Sequence, residues 1–364
     1  MKPYVPDKLP IEQIKWELHV PAIGKAHDAI GRYDGMLQSI VNPNLLLSPL
    51  TTQEAVLSSK IEESQATLEE VLEYDADPTE RLEVNKYNDI MEVINYRKAS
   101  SHATDRLKTL PLSLNLIREV HAILLDSVRG RNKNPGEFRR SQNYIGAPGV
   151  SMEYATYIPP SPENVLPSLY NWENYLNSDE KDVLVQLAIV KAQFEIIHPF
   201  LDGNGRIGRL LIPLFLFYKG ALSSPVFYLS SYLESNRDMY YERLKAVSEK
   251  RDWNGWIAFF LQAIIEQASI NISKTKKIQD LYEKTKALIP QITNSQFAIR
   301  TTDALFSAPI ITSSSFVNKS GIPKASAIRI ISLLRKSGIL IDLRKPKGRR
   351  AGRFLFKELF EIVK

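Results

Sequence analysis

The sequence of 364 residues contains no cysteine. It therefore has no disulfide framework, no thiolate zinc site and no cysteine nucleophile, which fits a reducing compartment. Long hydrophobic runs are also lacking: the longest apolar stretches, at residues 210–218 and 256–265, are much shorter than the ~20 residues that span a bilayer. The charged, proline-punctuated start lacks the apolar core of a signal peptide. We therefore expect a cytoplasmic protein with no membrane partner.

Acidic residues become scarce only near the C-terminus. Residues 301–364 contain 13 Lys/Arg and 4 Asp/Glu, whereas residues 1–300 contain 34 and 37. The formal net charge of +6 therefore originates in the last segment. The basic character therefore belongs to the last segment, where a solvated basic surface and binding to DNA both stay open.

Most of the chain shows helical periodicity, since apolar residues recur at intervals of three and four. Thr51 and Glu54 predict a capping-box start for a helix that runs to about Leu72. Residues 183–197 are apolar on nearly all sides, which is typical of a central bundle helix. Between residues 129 and 162, two short β-prone runs around a turn predict a hairpin. The expected fold is mainly α, a helical bundle with a small β-hairpin flap.

The pattern changes at residues 290–302, which we interpret as a linker. The elements predicted beyond it are three helices and two strands around a basic tip, the plan of a winged helix-turn-helix domain. In its third helix we expect Ala325, Ile328, Ile331 and Leu334 to face inward. The residues expected to contact DNA are Lys324, Arg329, Lys347, Arg349 and Arg350. Winged helices also dock proteins, so DNA binding and protein docking both stay open.

Residues 198–209, His-Pro-Phe-Leu-Asp-Gly-Asn-Gly-Arg-Ile-Gly-Arg, lie between two predicted helices. A glycine-rich turn at such a place can curl its backbone N–H groups into a nest for an anion, and the following helix adds its positive N-terminal end. Gly203 and Gly205 allow the positive dihedral angles and the close approach that a nest needs. The segment therefore predicts a phosphate site.

The polar side chains of this segment fit the same chemistry. Asn204 can donate its amide to a phosphate oxygen. Arg206 and Arg209, three residues apart on the next helix, can hold two anionic oxygens. Asp202 is a hard oxygen ligand suited to Mg²⁺ shared with phosphates, and His198 is left as the proton acceptor. A plain helix-linking turn would explain any one of these residues, but not the set.

Residues 198–209 match HPFxDGNGRxxR, the signature of Fic-domain proteins, at every defined position, and the sequence resembles that family from about residue 29 to residue 267. The resemblance implies a helical Fic bundle with an added winged helix. It also implies that His198 deprotonates a hydroxyl group of a target protein, which attacks the α-phosphate of ATP and takes up AMP. Asp202 would orient Mg²⁺ and the glycine nest would hold the α-phosphate. Arg206 and Arg209 would hold the outer phosphates.

The resemblance assigns further residues. Tyr240 and Tyr241 match a position used at the nucleotide base. The flap would align a target segment as an extra strand, and its residues are Tyr144, Ile145, Gly146, Tyr157 and Ile158. The family's phosphotransferase branch replaces the second motif glycine by lysine, so Gly205 argues against phosphorylation. Phosphocholine transfer, which uses the same motif, stays open.

Ser58 and Glu62 lie four residues apart, on one face of the helix predicted after Thr51. They resemble the family's inhibitory pattern, in which Ser or Thr is followed four residues later by Glu and then by Gly or Asn. The resemblance implies that Glu62 pairs with Arg209 and takes the guanidinium that should hold the γ-phosphate. Glu63 departs from the pattern, and we expect the helix to continue past it. A solvated acidic face is the alternative.

The sequence thus predicts a self-inhibited, Mg²⁺-dependent protein adenylyltransferase that modifies a Tyr, Ser or Thr hydroxyl of a target or of itself. The alternative is a nucleotide-sensing, DNA-binding regulator with little transferase activity. We expect an N-terminal helical region with the inhibitory helix (1–105), a catalytic core (106–289) and the winged helix (290–364). The oligomeric state stays open, a homodimer included.

Overall fold

The computed structural model describes residues 2–127, 131–146, 149, 151–345 and 351–364. The mainly helical fold predicted from the sequence is confirmed, and none of the described helices is long and apolar enough to cross a membrane. Within these ranges the helices are α1 (Trp16–Ser39), α2 (Pro43–Leu46), α3 (Ser48–Ile61), α4 (Leu68–Ala76), α5 (Val84–Leu107), α6 (Leu114–Leu124), α7 (Pro162–Asn177), α8 (Val183–Ile197), α9 (Asn204–Tyr218), α10 (Ser230–Ser235), α11 (Arg237–Lys250), α12 (Trp253–Thr293), α13 (Ala298–Ser307), α14 (Ser313–Ser320), α15 (Lys324–Lys336) and α16 (Lys357–Val363). The strands are β1 (Ile310–Ile311), β2 (Leu340–Arg344) and β3 (Arg353–Phe356).

Helix α8 is the central member of the bundle, as its apolar sequence predicts. Nearly all of its residues are buried, and it packs against α1, α7, α9 and α12. The neighbouring helices α7 and α12 each place a buried tryptophan against it. The indole N–H of Trp172 donates to the carbonyl of Val190, and that of Trp256 donates to the carbonyl of Ala188. Because α8 is held on all sides, its C-terminal end is a rigid platform for the motif that follows.

The prediction for the helix around Thr51 is wrong at both ends. Helix α3 begins at Ser48, with Pro49 in its first turn, and it ends at Ile61 instead of continuing to Leu72. The capping box lies one helix later, where Thr67 and Glu70 cap α4. Proline in the first turn is a strong helix-start signal. The N–H groups of the first turn have no intrahelical acceptor, so proline, which lacks an N–H, loses no hydrogen bond there.

The predicted linker is also absent. Helix α12 continues through Pro290 to Thr293, and α13 begins at Ala298, so only a short turn separates them. The last element, α16, packs against α12 and α3. The C-terminal segment therefore adjoins the helix that carries Ser58.

The C-terminal segment contains the predicted three helices and two strands, with β1 as an additional short strand. The antiparallel sheet has the order β1-β3-β2. Helix α15 turns a different face inward from the one predicted, because its buried residues are Ala327, Ile330, Ile331 and Leu334, while Ala325 and Ile328 are exposed. Helix α15 therefore lies rotated relative to the predicted orientation.

The basic residues of this segment differ in their environments. Lys324 and Arg329 are both exposed on α15, and Nη2 of Arg329 donates to the carbonyl of Thr293 at the end of α12 (2.9 Å). Arg344 and the buried Arg353 form ion pairs with Glu80 beside α4. The predicted contact residues Lys347, Arg349 and Arg350 lie outside the described residues. The stem of the predicted wing is thus held against the acidic N-terminal region.

Candidate active site

The motif forms the turn between α8 and α9. Gly203 precedes α9 with a φ of 79°, which is the left-handed region that glycine tolerates best. It contributes no side chain to cap the helix. The first backbone N–H groups of α9 have no intrahelical partner and carry the positive end of the helix dipole. The turn therefore has the backbone geometry on which the predicted anion site depends.

Asn204 braces this turn from within. Its side-chain Oδ1 accepts from the backbone N–H of Phe200 and its Nδ2 donates to the Phe200 carbonyl, both at 2.9 Å. The side chain is buried. The structure therefore places the Asn204 amide against the motif's own backbone. The sequence predicts instead that this amide donates to a phosphate oxygen.

His198 ends α8 in a left-handed conformation, with a φ of 49°. Its Nδ1 lies 3.3 Å from the carbonyl oxygen of Glu195. A carbonyl only accepts, so Nδ1 carries the proton and the Nε2 lone pair is available. Burial lowers the pKa of His198, which keeps the imidazole neutral at neutral pH. His198 is thus a half-buried, neutral imidazole whose Nε2 can accept a proton.

Arg209 binds both residues of the predicted inhibitory pair. Its Nε donates to the hydroxyl oxygen of Ser58 (2.9 Å), and its Nη2 donates to the carbonyl of Ser58 (2.8 Å) and to Oε1 of Glu62 (2.6 Å). Ser58 and Arg209 are buried, while 36% of the Glu62 side chain stays exposed. The resemblance to the family predicts the contact between Arg209 and Glu62, and in the structure Ser58 also holds Arg209 directly.

The carboxylate of Glu62 also lies on the start of α9. A Cβ added to Gly205 would overlap Oε1 of Glu62 and lie 3.0 Å from Nη1 of Arg209. Burial alone would raise the pKa of Glu62, but the charges of Arg209 and Arg206 outweigh burial and hold it below its usual range. A charged carboxylate therefore occupies the position where the sequence predicts a phosphate.

Glu62 is presented by a tight turn at the end of α3. The N–H of Glu63 donates to the carbonyl of Lys60 and that of Ser64 donates to the carbonyl of Ser59, the two bonds of a Schellman motif. Glu63 has a φ of 70°, in the region that favours glycine or asparagine. The expectation that the helix continues past Glu63 is wrong, because Glu63 is the residue at which the chain reverses.

We expect Glu63→Gly to stabilise the protein by about 1 kcal/mol, because glycine removes the cost of a left-handed conformation. Thermal melting should show a higher midpoint for the variant. An unchanged or lower midpoint would mean that neighbouring contacts have already relieved this strain.

Asp202 and Arg206 form a second polar cluster beside the turn. Oδ1 of Asp202 accepts from the N–H of Gly203 (2.6 Å) and from Nη2 of Arg206 (3.3 Å). The buried Arg206 also contacts Glu92 (3.3 Å). The Asp202 side chain is 45% exposed. Among the described residues, no cluster of three His, Cys, Asp or Glu side chains could hold a metal by itself.

His121 supports the motif from α6, a contact that the sequence analysis missed. Its Nε2 donates to the carbonyl of Asp202 (3.0 Å), its Nδ1 accepts from the N–H of Gly136 (2.8 Å), and its ring stacks on Phe200 at 3.7 Å. Burial lowers the pKa of His121 to about 4, as expected for an imidazole that accepts at one nitrogen. His121 is a fixed, neutral brace.

A cavity of about 780 Å³ adjoins these groups, a volume typical of ligand sites. It brings together most of the predicted site residues, namely Glu62, Tyr144, Ile145, Gly146, Tyr157, His198, Gly205, Arg209, Tyr240 and Tyr241. Ile158, predicted to belong to the flap, is instead 2% exposed and lies in the core. The flap has a single antiparallel bridge between Ile145 and Tyr157 in its described part, and Ala147, Pro148 and Val150 lie outside the described residues.

Tyr240 and Tyr241 differ in environment. Tyr241 is 44% exposed, while Tyr240 is buried and its hydroxyl donates to Oε2 of Glu195 (2.6 Å). Lys191, one turn before Glu195, donates to the Tyr240 hydroxyl (2.5 Å) and to Oε1 of Glu195 (2.7 Å). A Lys–Glu pair four residues apart in a mostly apolar helix is a sequence signal that could have indicated this buried network.

Glu54 is a buried carboxyl on α3, one turn before Ser58. It accepts from the hydroxyl and the backbone N–H of Ser230. Burial raises the pKa of Glu54 to about 7. Because the folded state binds this proton more tightly than the unfolded chain, its contribution to stability is complete below the ordinary carboxyl pKa and is lost as the pH rises through about 7.

We therefore expect Glu54→Gln to become more stable relative to wild type as the pH rises from about 5 to about 8, because glutamine has no proton to lose. Thermal melting across this range measures the difference. Parallel melting curves for the two proteins would show that Glu54 does not titrate in this way.

Two family models match this chain. Residues 20–105 match the model described as Fic/DOC family N-terminal, and residues 111–216 match the Fic/DOC family model. The chain belongs to the Fic/DOC family.

The curated relatives include "Protein adenylyltransferase Fic" of Drosophila grimshawi, 30% identical over 191 residues, and that of Drosophila mojavensis, 31% identical over 191 residues. Each match covers 51% of this chain and 33% or 32% of the relative, so the chain spans about a third of the length of these relatives.

Similar solved structures include a Fic family protein from Desulfovibrio desulfuricans G20 and Fic-1 from C. elegans. The first has a TM-score of 0.58 at 20% identity and covers 92% of this chain and 96% of that one. The second has a TM-score of 0.52 at 19% identity and covers 72% and 74%. At these identities the likeness concerns the fold alone.

Proposed function

We propose that the protein is an adenylyltransferase that moves AMP from ATP to a hydroxyl group of a protein and that Glu62 inhibits it. One observation carries the proposal: the neutral His198 faces the same cavity as the start of α9 and the guanidinium of Arg209. The names of the Drosophila relatives support the reaction class.

In the proposed reaction, Nε2 of His198 accepts the proton of the target hydroxyl. The hydroxyl oxygen forms a bond to the α-phosphorus of ATP, the bond from that phosphorus to the pyrophosphate oxygen breaks, and pyrophosphate leaves. Backbone N–H groups at the start of α9 bind the phosphate oxygens. Arg209 binds the outer phosphate, and Tyr241 borders the cavity where the base would lie.

Asp202 is the residue that would hold Mg²⁺. Its carboxylate is partly exposed, and only one of its oxygens is engaged by Gly203 and Arg206, so the residue fits an ion shared with phosphate oxygens. When bound, the ion would neutralise phosphate charge.

Inhibition follows from competition for one guanidinium. While Arg209 is bound by Ser58 and Glu62, the outer phosphate of ATP lacks its clamp, and the α-phosphate is not held in line for attack. The negative charge of Glu62 at the start of α9 also repels the incoming phosphates. The proposed inhibition is intramolecular, since Glu62 and Arg209 belong to the same chain.

The position of the label separates adenylyl transfer from phosphoryl transfer. We expect the Glu62→Gly protein to transfer label to protein from ATP labelled at the α-phosphate and not from ATP labelled at the γ-phosphate, either to itself or to proteins of a cell lysate. Labelling from the γ-position, or from neither, would contradict the proposal.

For the C-terminal segment we propose a winged helix, supported by the order of α13 to β3 and the antiparallel sheet. Its proposed DNA contacts are Lys324, Arg329, Lys347, Arg349 and Arg350. Arg329 stays in that set, since it is exposed on α15 although its Nη2 donates to the carbonyl of Thr293.

A further inference from the structure

Arg139 lies outside the motif, yet the residue is only 3% exposed, and its guanidinium is directed at the motif's backbone. Within the described part of the chain it forms no ion pair, and its hydrogen bonds all go to carbonyl groups. Burial lowers the pKa of Arg139 to about 10, so the group stays charged at neutral pH. A buried, unpaired arginine is costly, which points to a specific role.

One edge of the guanidinium holds the end of α8. Nε donates to the carbonyl of His198 (2.9 Å) and Nη2 donates to that of Ile197 (3.3 Å), while the backbone N–H of Arg139 donates to the carbonyl of Pro199 (2.8 Å). Three consecutive carbonyls are therefore fixed by one residue. A positive charge at a helix C-terminus is also favoured by the helix dipole.

The other edge holds the base of the flap. Nη1 donates to the carbonyl of Ser141 (3.3 Å), and Nη2 donates to that of Pro160 (2.5 Å). These two residues flank the segment that contains the Ile145–Tyr157 bridge. The same planar group thus spans the catalytic turn and both arms of the flap.

We propose that Arg139 is a positioning residue that keeps His198 in its left-handed conformation and sets its place relative to the flap. The inference rests on the proposed function, because it concerns the distance between the base and a target aligned by the flap. Arginine suits this role better than lysine, since its rigid fork can reach several carbonyls at fixed angles.

The test compares Arg139→Met with Arg118→Met, both in the Glu62→Gly background. Arg118 provides a matched control, because its Nε also donates to a backbone carbonyl, that of Gly136 on the same loop. Among the described residues, it makes no hydrogen bond to α8. We expect Arg139→Met to lower kcat by about 10²-fold with the KM for ATP within about twofold, as for a misplaced catalytic group. Arg118→Met should match its parent.

Arg139→Lys separates geometry from folding. It keeps the charge but loses the fork, so we expect a kcat between those of the parent and Arg139→Met at an unchanged melting midpoint. If Arg139→Met does not fold, the kcat of Arg139→Lys relative to that of the parent tests the proposal. A kcat for Arg139→Lys equal to that of the parent would overturn the proposal.

A second readout is independent of transfer. Among the described residues, the charges that act on the His198 imidazole include those of Glu195, Glu62 and Arg139. NMR titration of the imidazole in chains with Glu62 intact should therefore show a higher His198 pKa in Arg139→Met, which lacks a nearby positive charge, and an unchanged one in Arg118→Met. If the Glu62→Gly parent labels nothing, the proposed function fails and this titration still decides on Arg139. An unchanged His198 pKa in Arg139→Met would overturn the positioning role.

Discussion

Glu62→Gly should raise protein labelling from α-labelled ATP by about 10²-fold, the scale of effect seen when a misplaced reacting group is brought into line. Removal of the Glu62 side chain frees the guanidinium of Arg209 and clears the space over Gly205, where the Glu62 carboxylate lies in the wild type. The outer phosphate then gains its clamp, and the α-phosphate can turn toward His198. Initial rates of labelling with purified protein measure the effect.

Three variants control this experiment. Adding Arg209→Ala to Glu62→Gly should abolish the gain, because the clamp itself is lost. Glu62→Gln should give a smaller gain, since it removes the charge and keeps the obstruction. Glu63→Gly is the matched control, because it is the same substitution one residue further along. Glycine favours the left-handed conformation of the turn that presents Glu62, so labelling should not rise. Equal rates for wild type and Glu62→Gly would refute inhibition by this carboxylate.

His198→Ala in the Glu62→Gly background should lower labelling by roughly 10²- to 10⁴-fold, the usual cost of losing a general base. The melting midpoint and the affinity for ATP should change little, because the imidazole of His198 makes one long hydrogen bond to the Glu195 carbonyl. Labelling rates, calorimetry and thermal melting together test this.

The second histidine of the site cannot take over. Although His121 is close to the motif in space, both of its nitrogens are used, one by the carbonyl of Asp202 and one by the N–H of Gly136. Retained labelling in His198→Ala would therefore show that the base is some other group, and the assignment of His198 would be wrong.

The motif was predictable because its chemistry is local. Twelve consecutive residues supply the base, the glycines and the arginines, so their spacing alone indicates an anion site. The pairing of Glu62 with Arg209 joins positions 147 residues apart, and the resemblance to the family was needed to predict it. The apolar sequence of α8 likewise predicted a central helix.

The end of α3 was not predictable from local signals. Glutamate is a poor residue for a left-handed position, so Glu63 gives no sign of a turn, and long-range contacts hold the turn in place. Arg237 donates to the carbonyl of Ile61 (3.0 Å), and the N–H of Gln65 donates to Asp89 (3.4 Å). The role of Arg139 was hidden for a related reason: its partners are backbone carbonyls, which carry no sequence pattern.

The most direct test of the account is a crystal structure of the Glu62→Gly protein with a non-hydrolysable ATP analogue, compared with wild type under the same conditions. The account predicts an outer phosphate oxygen within hydrogen-bonding distance of Arg209 and the α-phosphate over the start of α9, facing Nε2 of His198, in the variant only. The same phosphate positions in both proteins, or an Arg209 guanidinium without a phosphate contact in the variant, would contradict competition between Glu62 and ATP.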